Sequence, residues 1–322
     1  MPFAFDAYVT DARFDRSGLA IFALGDGTIR WEDGRQVQAH DGAILCAAAH
    51  PSGEGVITGG DYGRLVWSRP AGPETLAEIK GRWIDVVASS AASNLIAFAA
   101  GREVLVRDAM DPKFAVTLAH ERTVGGLDFD PKGRRLAAAT YGGAALWYAR
   151  IAEQKPLFLK WAGSHVLVAF SPDGRFLVSA MQENELHGWR LADGSNMRMG
   201  GYPSKVKSLV FLDRGRLMAT SGAAGAVIWP FGGSSGPMGK QAAEVGYQEG
   251  ALVTRIAALP DASRVFAGLS DGRVWSCELG GTKVDHLKTE KGEPISALAV
   301  SPDGRRAAWG DEAGEAGIAE LP

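Results

Sequence analysis

Tryptophan recurs along this chain at nearly even intervals, and it most often closes a short apolar run that follows a glycine turn. The recurring positions are Trp31, Trp67, Trp147, Trp189, Trp229 and Trp275. A second signal, a turn of the kind Ser-Pro-Asp-Gly, precedes most of them. Its copies, some degraded, stand at 15–18, 50–53, 91–94, 130–133, 171–174, 213–215, 260–263 and 301–304. Two signals that repeat in phase about every 40 residues indicate a repeat architecture.

Short apolar strands flank each turn. Apolar residues alternate before the turn, as at Val124, Leu127 and Phe129, and a run of small apolar residues follows it, as at 136–139. A glycine hairpin then leads to the strand that ends at the tryptophan, and a more variable fourth strand, such as 157–160, completes the unit. Short apolar runs bounded by turn residues are typical of β-strands. Because four antiparallel strands form one propeller blade, the pattern predicts an all-β chain that folds as a single β-propeller of four-stranded antiparallel blades.

The repeats predict eight blades, with seven blades and one irregular appendage as the alternative. The whole chain, 1–322, is predicted to be one domain with approximate repeats at 7–38, 39–79, 80–118, 119–161, 162–201, 202–249, 250–288 and 289–322. Repeat three carries Arg107 where the tryptophan is expected, and repeat eight has no aromatic residue there. The last repeat lacks a fourth strand, which residues 1–6 can supply. This strand exchange would close the ring and cover a sheet edge.

Composition limits the possible partners and compartments. The formal net charge of −3 argues against a broad nucleic-acid surface. The chain contains no apolar run of about 18 residues, so we expect no membrane span, and its first residues do not resemble a signal peptide. The two cysteines, Cys46 and Cys277, lie on predicted strands far apart in sequence. They indicate buried thiols in a reducing compartment, which favours a cytoplasmic location.

The turns, the glycine-Asp hairpins and the tryptophans resemble those of the WD-repeat family over essentially the whole chain. No tryptophan of the six is followed by Asp, and the family's Gly-His pair appears only as Ala-His at 39–40 and 119–120. The resemblance implies a buried hydrogen-bond set, which only repeat two offers in full, as His40, Thr58, Asp61 and Trp67. The chain is most similar to compact single-domain bacterial members, and this likeness suggests a metal-chaperone-type GTPase as a partner.

The sequence predicts no catalytic site, cofactor or metal site. The six histidines show no paired metal-ligand spacing, and no cysteine cluster accompanies them. The segment 232–240 superficially resembles a phosphate loop, but Gln241 stands where Ser or Thr would bind magnesium, and no βαβ unit surrounds it. We interpret it as a flexible loop, with an anion- or partner-binding role for Lys240 as the alternative. The chain is therefore predicted not to be an enzyme.

Large and basic residues gather in the loops that lead into the first strand of each repeat. In propellers these loops form the top face, and aromatic residues with arginine are typical of interaction hot spots. The predicted partner-binding residues are Tyr8, Arg82, Trp83, Arg122, Trp161, Tyr202, Lys205 and Tyr247. The first hypothesis is a non-enzymatic scaffold that binds a protein or peptide there. The alternative is a metal- or small-molecule-handling protein that uses the mouth of the central channel, with His165 and nearby acids.

Overall fold

The computed structural model describes residues 1–281 and 283–321. Its first seventeen strands are β1 Pro2–Ala4, β2 Val9–Phe14, β3 Ala20–Leu24, β4 Thr28–Trp31, β5 Gln36–Gln38, β6 Ile44–Ala49, β7 Val56–Gly60, β8 Arg64–Arg69, β9 Gly72–Glu78, β10 Val86–Ser90, β11 Leu95–Ala100, β12 Glu103–Asp108, β13 Ala115–Ala119, β14 Val124–Phe129, β15 Arg135–Tyr148, β16 Leu157–Phe170 and β17 Phe176–Met181. The remaining strands are β18 Leu186–Arg190, β19 Asn196–Met199, β20 Leu209–Leu212, β21 Leu217–Thr220, β22 Ala226–Pro230, β23 Ala243–Val245, β24 Val253–Ala257, β25 Arg264–Leu269, β26 Val274–Glu278, β27 Val284–Lys288, β28 Ile295–Val300, β29 Arg306–Asp311 and β30 Glu315–Glu320. A short 3-10 helix spans Asp213–Gly215.

The strands form antiparallel sheets whose order follows the chain. The four-stranded sheets have the orders β2-β3-β4-β5, β6-β7-β8-β9, β10-β11-β12-β13, β20-β21-β22-β23, β24-β25-β26-β27 and β1-β30-β29-β28. A further sheet has six strands, in the order β14-β15-β16-β17-β18-β19. The chain is thus all-β, a single β-propeller with four-stranded antiparallel blades, as the repeats predict.

The number of sheets differs from the main expectation. The described residues form seven sheets, the number of the alternative, because repeats four and five share the six-stranded sheet. The reason lies in β15 and β16, each 14 residues long. The chain reverses at the glycine pair 142–143, since the Ala149 N–H donates to the Arg134 carbonyl at 2.9 Å, and Tyr141 pairs with Ser164, which belongs to the next repeat. Eight sequence repeats therefore occupy seven sheets.

The contacts divide the chain into two compact units: one is Ala23–Glu183, and the other is Met1–Phe22 with Asn184–Pro322. In the first unit, one core contains Trp147 with apolar residues of β11 to β15. A second core lies around Phe98 and Ile84, with Ile57 packed beside them. Burying one such large side chain stabilises the fold by about 1.5–3 kcal/mol.

Arg107 shows how this unit accommodates the missing tryptophan of repeat three. Its guanidinium carbon lies 5.9 Å from the centre of the Phe98 ring. Its Nη1 donates a hydrogen bond to the Val106 carbonyl at 3.0 Å. Burial lowers the pKa of Arg107. The long side chain thus contacts an aromatic core residue while its charged end finds a backbone acceptor.

In the second unit, the core around Trp275 joins strands β21 to β26. Trp309 packs with Val274 and Ile295 in a smaller cluster. The first strand completes the last sheet, as predicted: Pro2, Phe3 and Ala4 of β1 pair with residues 317, 316 and 315 of β30. The rings of Phe3 and Phe5 both lie 5.5 Å from that of Phe22. Backbone pairing and aromatic packing together hold this strand in the sheet.

Candidate partner-binding site

The hydrogen-bond set expected in repeat two is only partly formed. Nε2 of His40 and Oγ1 of Thr58 are hydrogen-bonded at 2.9 Å. Trp67 does not join them, because its Nε1 donates to the Glu54 carbonyl at 2.8 Å. Within the described part of the chain, the buried Oδ1 of Asp61 has no hydrogen-bond partner. The expected chain of four residues is therefore reduced to the pair His40 and Thr58.

Ring stacking explains the different orientation of Trp67. Its indole lies parallel to the His50 imidazole, with ring centres 3.8 Å apart. The Arg69 guanidinium covers the indole at 3.9 Å from the ring centre. Desolvation, together with the nearby charge of Arg69, lowers the pKa of His50 to about 4, so the imidazole is neutral in this stack at pH 7.

Two other repeats connect their tryptophan to a polar partner. In repeat four, Nε1 of Trp147 donates to Nε2 of His120 at 3.0 Å. In repeat six, Nε1 of Trp229 donates to the Tyr202 hydroxyl at 2.6 Å, and that hydroxyl is hydrogen-bonded to Thr220, also at 2.6 Å. A tyrosine thus takes the part that the family resemblance assigns to histidine.

This network corrects one predicted contact residue. Tyr202 was expected on a partner-binding surface, but only 9% of it is exposed. Burial raises the pKa of Tyr202 to about 12. Its hydroxyl already serves Trp229 and Thr220, so Tyr202 is a structural residue of its repeat rather than a partner contact.

A two-lobed groove in the unit Ala23–Glu183 brings together three other predicted residues: Arg82, Trp83 and Arg122. The first lobe, a cavity of about 610 Å³, lies beside β11 and β12. It is lined by Arg82, Trp83, Asp85, Ala100, Gly101, Arg102, Glu103, Ala119, His120 and Thr123. The second lobe, about 600 Å³, lies beside β15 and the start of β16. It is lined by Ala119, His120, Glu121, Arg122, Thr140, Tyr141, Ala145, Trp147, Pro156, Phe158 and Lys160. Ala119 and His120 belong to both lobes, so the two form one surface, which we term the groove.

The first lobe is fixed by the loop between β9 and β10. Ile84 is fully buried and its N–H donates to the Gly60 carbonyl at 3.1 Å. This anchor leaves the preceding Trp83 on the surface, 65% exposed. Arg82 forms an ion pair with Glu103, and its Nη1 also reaches the Ala100 carbonyl at 3.4 Å. The loop is thus tied down while its aromatic residue remains available.

His120 separates the two lobes and is held in one tautomer. Its Nε2 accepts from Trp147, so its Nδ1 carries the proton and donates to the Leu118 carbonyl at 3.1 Å. Burial lowers the pKa of His120, so the imidazole is neutral at pH 7. Both ring nitrogens are engaged, and His120 acts as a fixed wall of the groove rather than as a proton carrier.

The sequence did not mark two residues of the second lobe, Phe158 and Lys160. They stand on the same face of β16, opposite Ala145 and Gly143 of β15. Phe158 is 40% exposed, and Tyr141 across the lobe is 63% exposed. The run 157–159 could have indicated an exposed apolar side chain, because three consecutive apolar residues on an outer strand cannot all face a core.

The other predicted contact residues lie elsewhere. In the unit Ala23–Glu183, Trp161 is half-buried, and its carbonyl is hydrogen-bonded to Nε2 of His165 at 3.0 Å. In the other unit, Tyr8 and Lys205 are exposed, and 64% of Tyr247 is exposed. The groove thus contains Arg82, Trp83 and Arg122, and the remaining predicted residues do not line it.

Two sequence candidates for small-molecule chemistry have structural roles. His165 is buried, and its Nδ1 is hydrogen-bonded to Ser179 at 2.7 Å while Nε2 is engaged by Trp161. Within residues 1–281 and 283–321, no group of three His, Cys, Asp or Glu residues could hold a metal ion. In the segment 232–240, Lys240 donates from Nζ to the Gly232 carbonyl at 2.5 Å, which closes the loop on itself.

Comparisons with known proteins agree with the fold. The family model of the WD domain, G-beta repeat, matches residues 31–66, which include most of repeat two. Among solved structures, the chain is similar to the computationally designed Ika8 protein. The TM-score is 0.79, with 18% identity over 99% of this chain and 98% of that chain. No curated protein matches the chain. No helix in the described residues has the length and apolar character to cross a bilayer.

Antiparallel four-stranded blades and a repeat match that covers His40, Thr58 and Asp61 point to one class of protein, the repeat-built β-propellers. Within this class, residues 31–66 match the repeat of the WD family. The structural likeness, at 18% identity, shows the fold alone.

Proposed function

We propose that this protein is a non-enzymatic, cytoplasmic interaction scaffold that binds a protein or peptide partner through the groove. WD-repeat propellers are commonly protein-interaction scaffolds. The observation that carries the proposal is the exposed Trp83, held out by the buried Ile84 and flanked by the Arg82–Glu103 ion pair. A large aromatic side chain on a fixed loop loses little conformational entropy on binding, which is why such residues dominate interaction hot spots.

The wider set of predicted contacts belongs to the same proposal. Tyr8, Lys205 and Tyr247 are exposed in the other unit and would provide further contacts with a large partner. The half-buried Trp161 would add a smaller area. A metal-chaperone-type GTPase is the specific partner that the family resemblance suggests.

The test is affinity capture from an extract of the cells that make the protein, followed by mass spectrometry. We expect a stoichiometric protein partner that is lost with Trp83→Ala. Tyr148→Ala is the matched control, because Tyr148 is an exposed aromatic residue of the same unit that does not line the groove. Circular dichroism and thermal melting would establish that both variants fold. A partner retained equally by both variants would contradict the proposal, as would capture with no stoichiometric protein.

A further inference from the structure

The second lobe of the groove has an apolar interior whose depth follows from strand register. Phe158 stands opposite Ala145, and Lys160 stands opposite Gly143. Because the β15 members of these pairs are small, the space above that strand is open, and the larger Trp147 and Phe158 bound it. Gly143 cannot be replaced easily, since a Cβ there would lie 2.0 Å from the Leu159 carbonyl oxygen. The result is an apolar slot in a lobe of about 600 Å³, which has room for a large apolar side chain and the peptide backbone beside it.

The rim of this lobe is basic. Arg122 and Lys160 are exposed, and neither forms an ion pair within the described residues. Glu121 is the single acid among the residues that line the lobe. His120 adds no charge, because its pKa is lowered by burial and both of its nitrogens are engaged. Two positive charges face one negative charge in a chain whose formal net charge is −3.

The first lobe differs in this respect. Of the two arginines that line the first lobe, Arg82 is neutralised by Glu103, and Arg102 forms no ion pair with the described residues. Asp85 lines the same lobe, and desolvation raises its pKa. Unpaired positive charge therefore concentrates beside the apolar slot of the second lobe, where it can attract an opposite charge on a ligand.

We infer that the second lobe recognises an acidic peptide segment with one large apolar residue. The apolar side chain enters the slot between Tyr141, Trp147 and Phe158, and flanking carboxylates of the peptide meet Arg122 and Lys160. The inference rests on the proposed function and gives it a partner chemistry. Single-stranded nucleic acid would also combine stacking with negative charge. It fits less well, because Glu121 interrupts the short basic rim and the chain as a whole is acidic.

The test uses fluorescence anisotropy with the full chain and three labelled short peptides, each with one central leucine. The flanking residues are glutamates in the first, serines in the second and lysines in the third. We expect the glutamate peptide to bind most tightly and to weaken with added salt. In the variant Arg122→Glu with Lys160→Glu, we expect binding of that peptide to fall about tenfold and the preference to move to the lysine peptide. Phe158→Ala should weaken all three by removing a wall of the slot.

The matched control is Lys132→Glu with Arg134→Glu. It changes the net charge by the same amount, and both residues are exposed on the turn before β15, outside the groove. Equal loss in the control would overturn the inference, because the effect would then follow net charge alone. Equal binding of the serine peptide, tighter binding of a single-stranded oligothymidine, or no binding of the glutamate peptide would also overturn it. If the peptides fail while partner capture still depends on Trp83, only this inference fails and the proposed function stands.

Discussion

Tyr202 and His120 each accept a hydrogen bond from the indole N–H of a tryptophan, the first with a hydroxyl oxygen and the second with a ring nitrogen. In repeats four and six a tryptophan presents its indole N–H, and leaving such a group buried without an acceptor costs about 1–3 kcal/mol. His120 supplies a ring nitrogen to Trp147, and Tyr202 supplies a hydroxyl oxygen to Trp229. The Tyr202 hydroxyl also forms a second hydrogen bond, with Thr220. The Tyr202 hydroxyl therefore joins β21 and β22 through one atom, whereas His120 bonds Trp147 and the Leu118 carbonyl through different ring nitrogens.

Replacing Tyr202 with Phe tests this role. The change keeps the ring but removes the acceptor for Trp229 and the partner of Thr220. We expect the free energy of unfolding to fall by about 1–3 kcal/mol, measured by urea denaturation, with unchanged far-ultraviolet circular dichroism. Tyr148→Phe is the control, because Tyr148 is exposed. Equal stabilities of the two variants would mean that the hydroxyl does not support the blade.

In repeat seven, the ring of Trp275 packs closely against the backbone of Gly246. A Cβ on Gly246 would lie 2.5 Å from ring atoms of Trp275, and the glycine has a φ of +65°. Gly246→Ala should therefore destabilise by about 1–3 kcal/mol through overpacking, in addition to the cost of the left-handed backbone. Gly250→Ala separates the two effects, because Gly250 has a φ of +74° but no heavy atom within 4 Å of its added Cβ. Equal losses measured by thermal or chemical denaturation would exclude a clash with Trp275.

These residues show the limit of sequence reasoning at this scale. The spacing of tryptophans predicts where each indole stands, but not which atom its N–H meets. At Trp67 the choice depends on a stack with His50 and Arg69, and at Trp229 it depends on a tyrosine that the loop position marked as a surface contact. The exposure of Trp83 could be expected from its loop, whereas that of Phe158 depends on the register of β15 and β16.

At the scale of elements, the turn residues predicted the positions of the strands better than they predicted how the strands group into sheets. The turns and alternating apolar runs locate the strands of the repeats, and the short apolar segment at residues 2–5 predicts the strand that joins β30. The pair Gly142 and Gly143, with φ values of +89° and +145°, forms the predicted hairpin, because the Ala149 N–H donates to the Arg134 carbonyl at 2.9 Å. The turn residues do not predict the pairing of Tyr141 with Ser164, which joins two repeats into one sheet.

Removing the first strand tests its contribution. Deletion of residues 1–6 would expose the edge of β30 and remove the ring contacts of Phe3 and Phe5 with Phe22. We expect the melting temperature to fall by several degrees, since pairing and aromatic burial are lost together. The double variant Phe3→Ala with Phe5→Ala keeps the backbone pairing and should show a smaller loss. A deletion variant that melts like the intact chain would show that this strand adds no stability.

At the scale of the whole molecule, the negative net charge of the chain contrasts with the basic rim of the second lobe. The chain carries a small formal negative charge, yet the second lobe of the groove has two unpaired basic residues on its rim, Arg122 and Lys160. Many arginines elsewhere are paired with neighbouring acids, as Arg175 is with Asp173 and Arg190 with Asp193. Such exposed pairs contribute little stability, about 0–1 kcal/mol each. The second lobe is distinguished by unpaired basic residues that lie beside exposed aromatic rings.

One buried acid should make the stability of the whole fold depend on pH. Burial raises the pKa of Asp128 from 3.8 to about 7, although the N–H of Phe170 donates to its carboxylate at 2.7 Å. In the unfolded chain this carboxyl ionises near pH 4, so between about pH 4 and 7 the folded state binds the additional proton. Its contribution to stability therefore falls as the pH rises through this range and is constant above it.

Asp128→Asn removes this titration while keeping an oxygen that can accept the N–H of Phe170. We expect the variant to match the intact chain near pH 4 and to be more stable by up to a few kcal/mol at pH 8, since a tenfold change in an ionisation constant corresponds to about 1.4 kcal/mol. The quantity to measure is the difference in unfolding free energy between variant and intact chain at each pH, because other titrating groups such as His40 and His50 cancel in it. Asp303→Asn serves as the control, because Asp303 is an exposed turn residue whose hydrogen bond with Ser301 lowers its pKa. A difference for Asp128→Asn that does not grow between pH 4 and 8 would mean that Asp128 is ionised in the folded protein throughout that range.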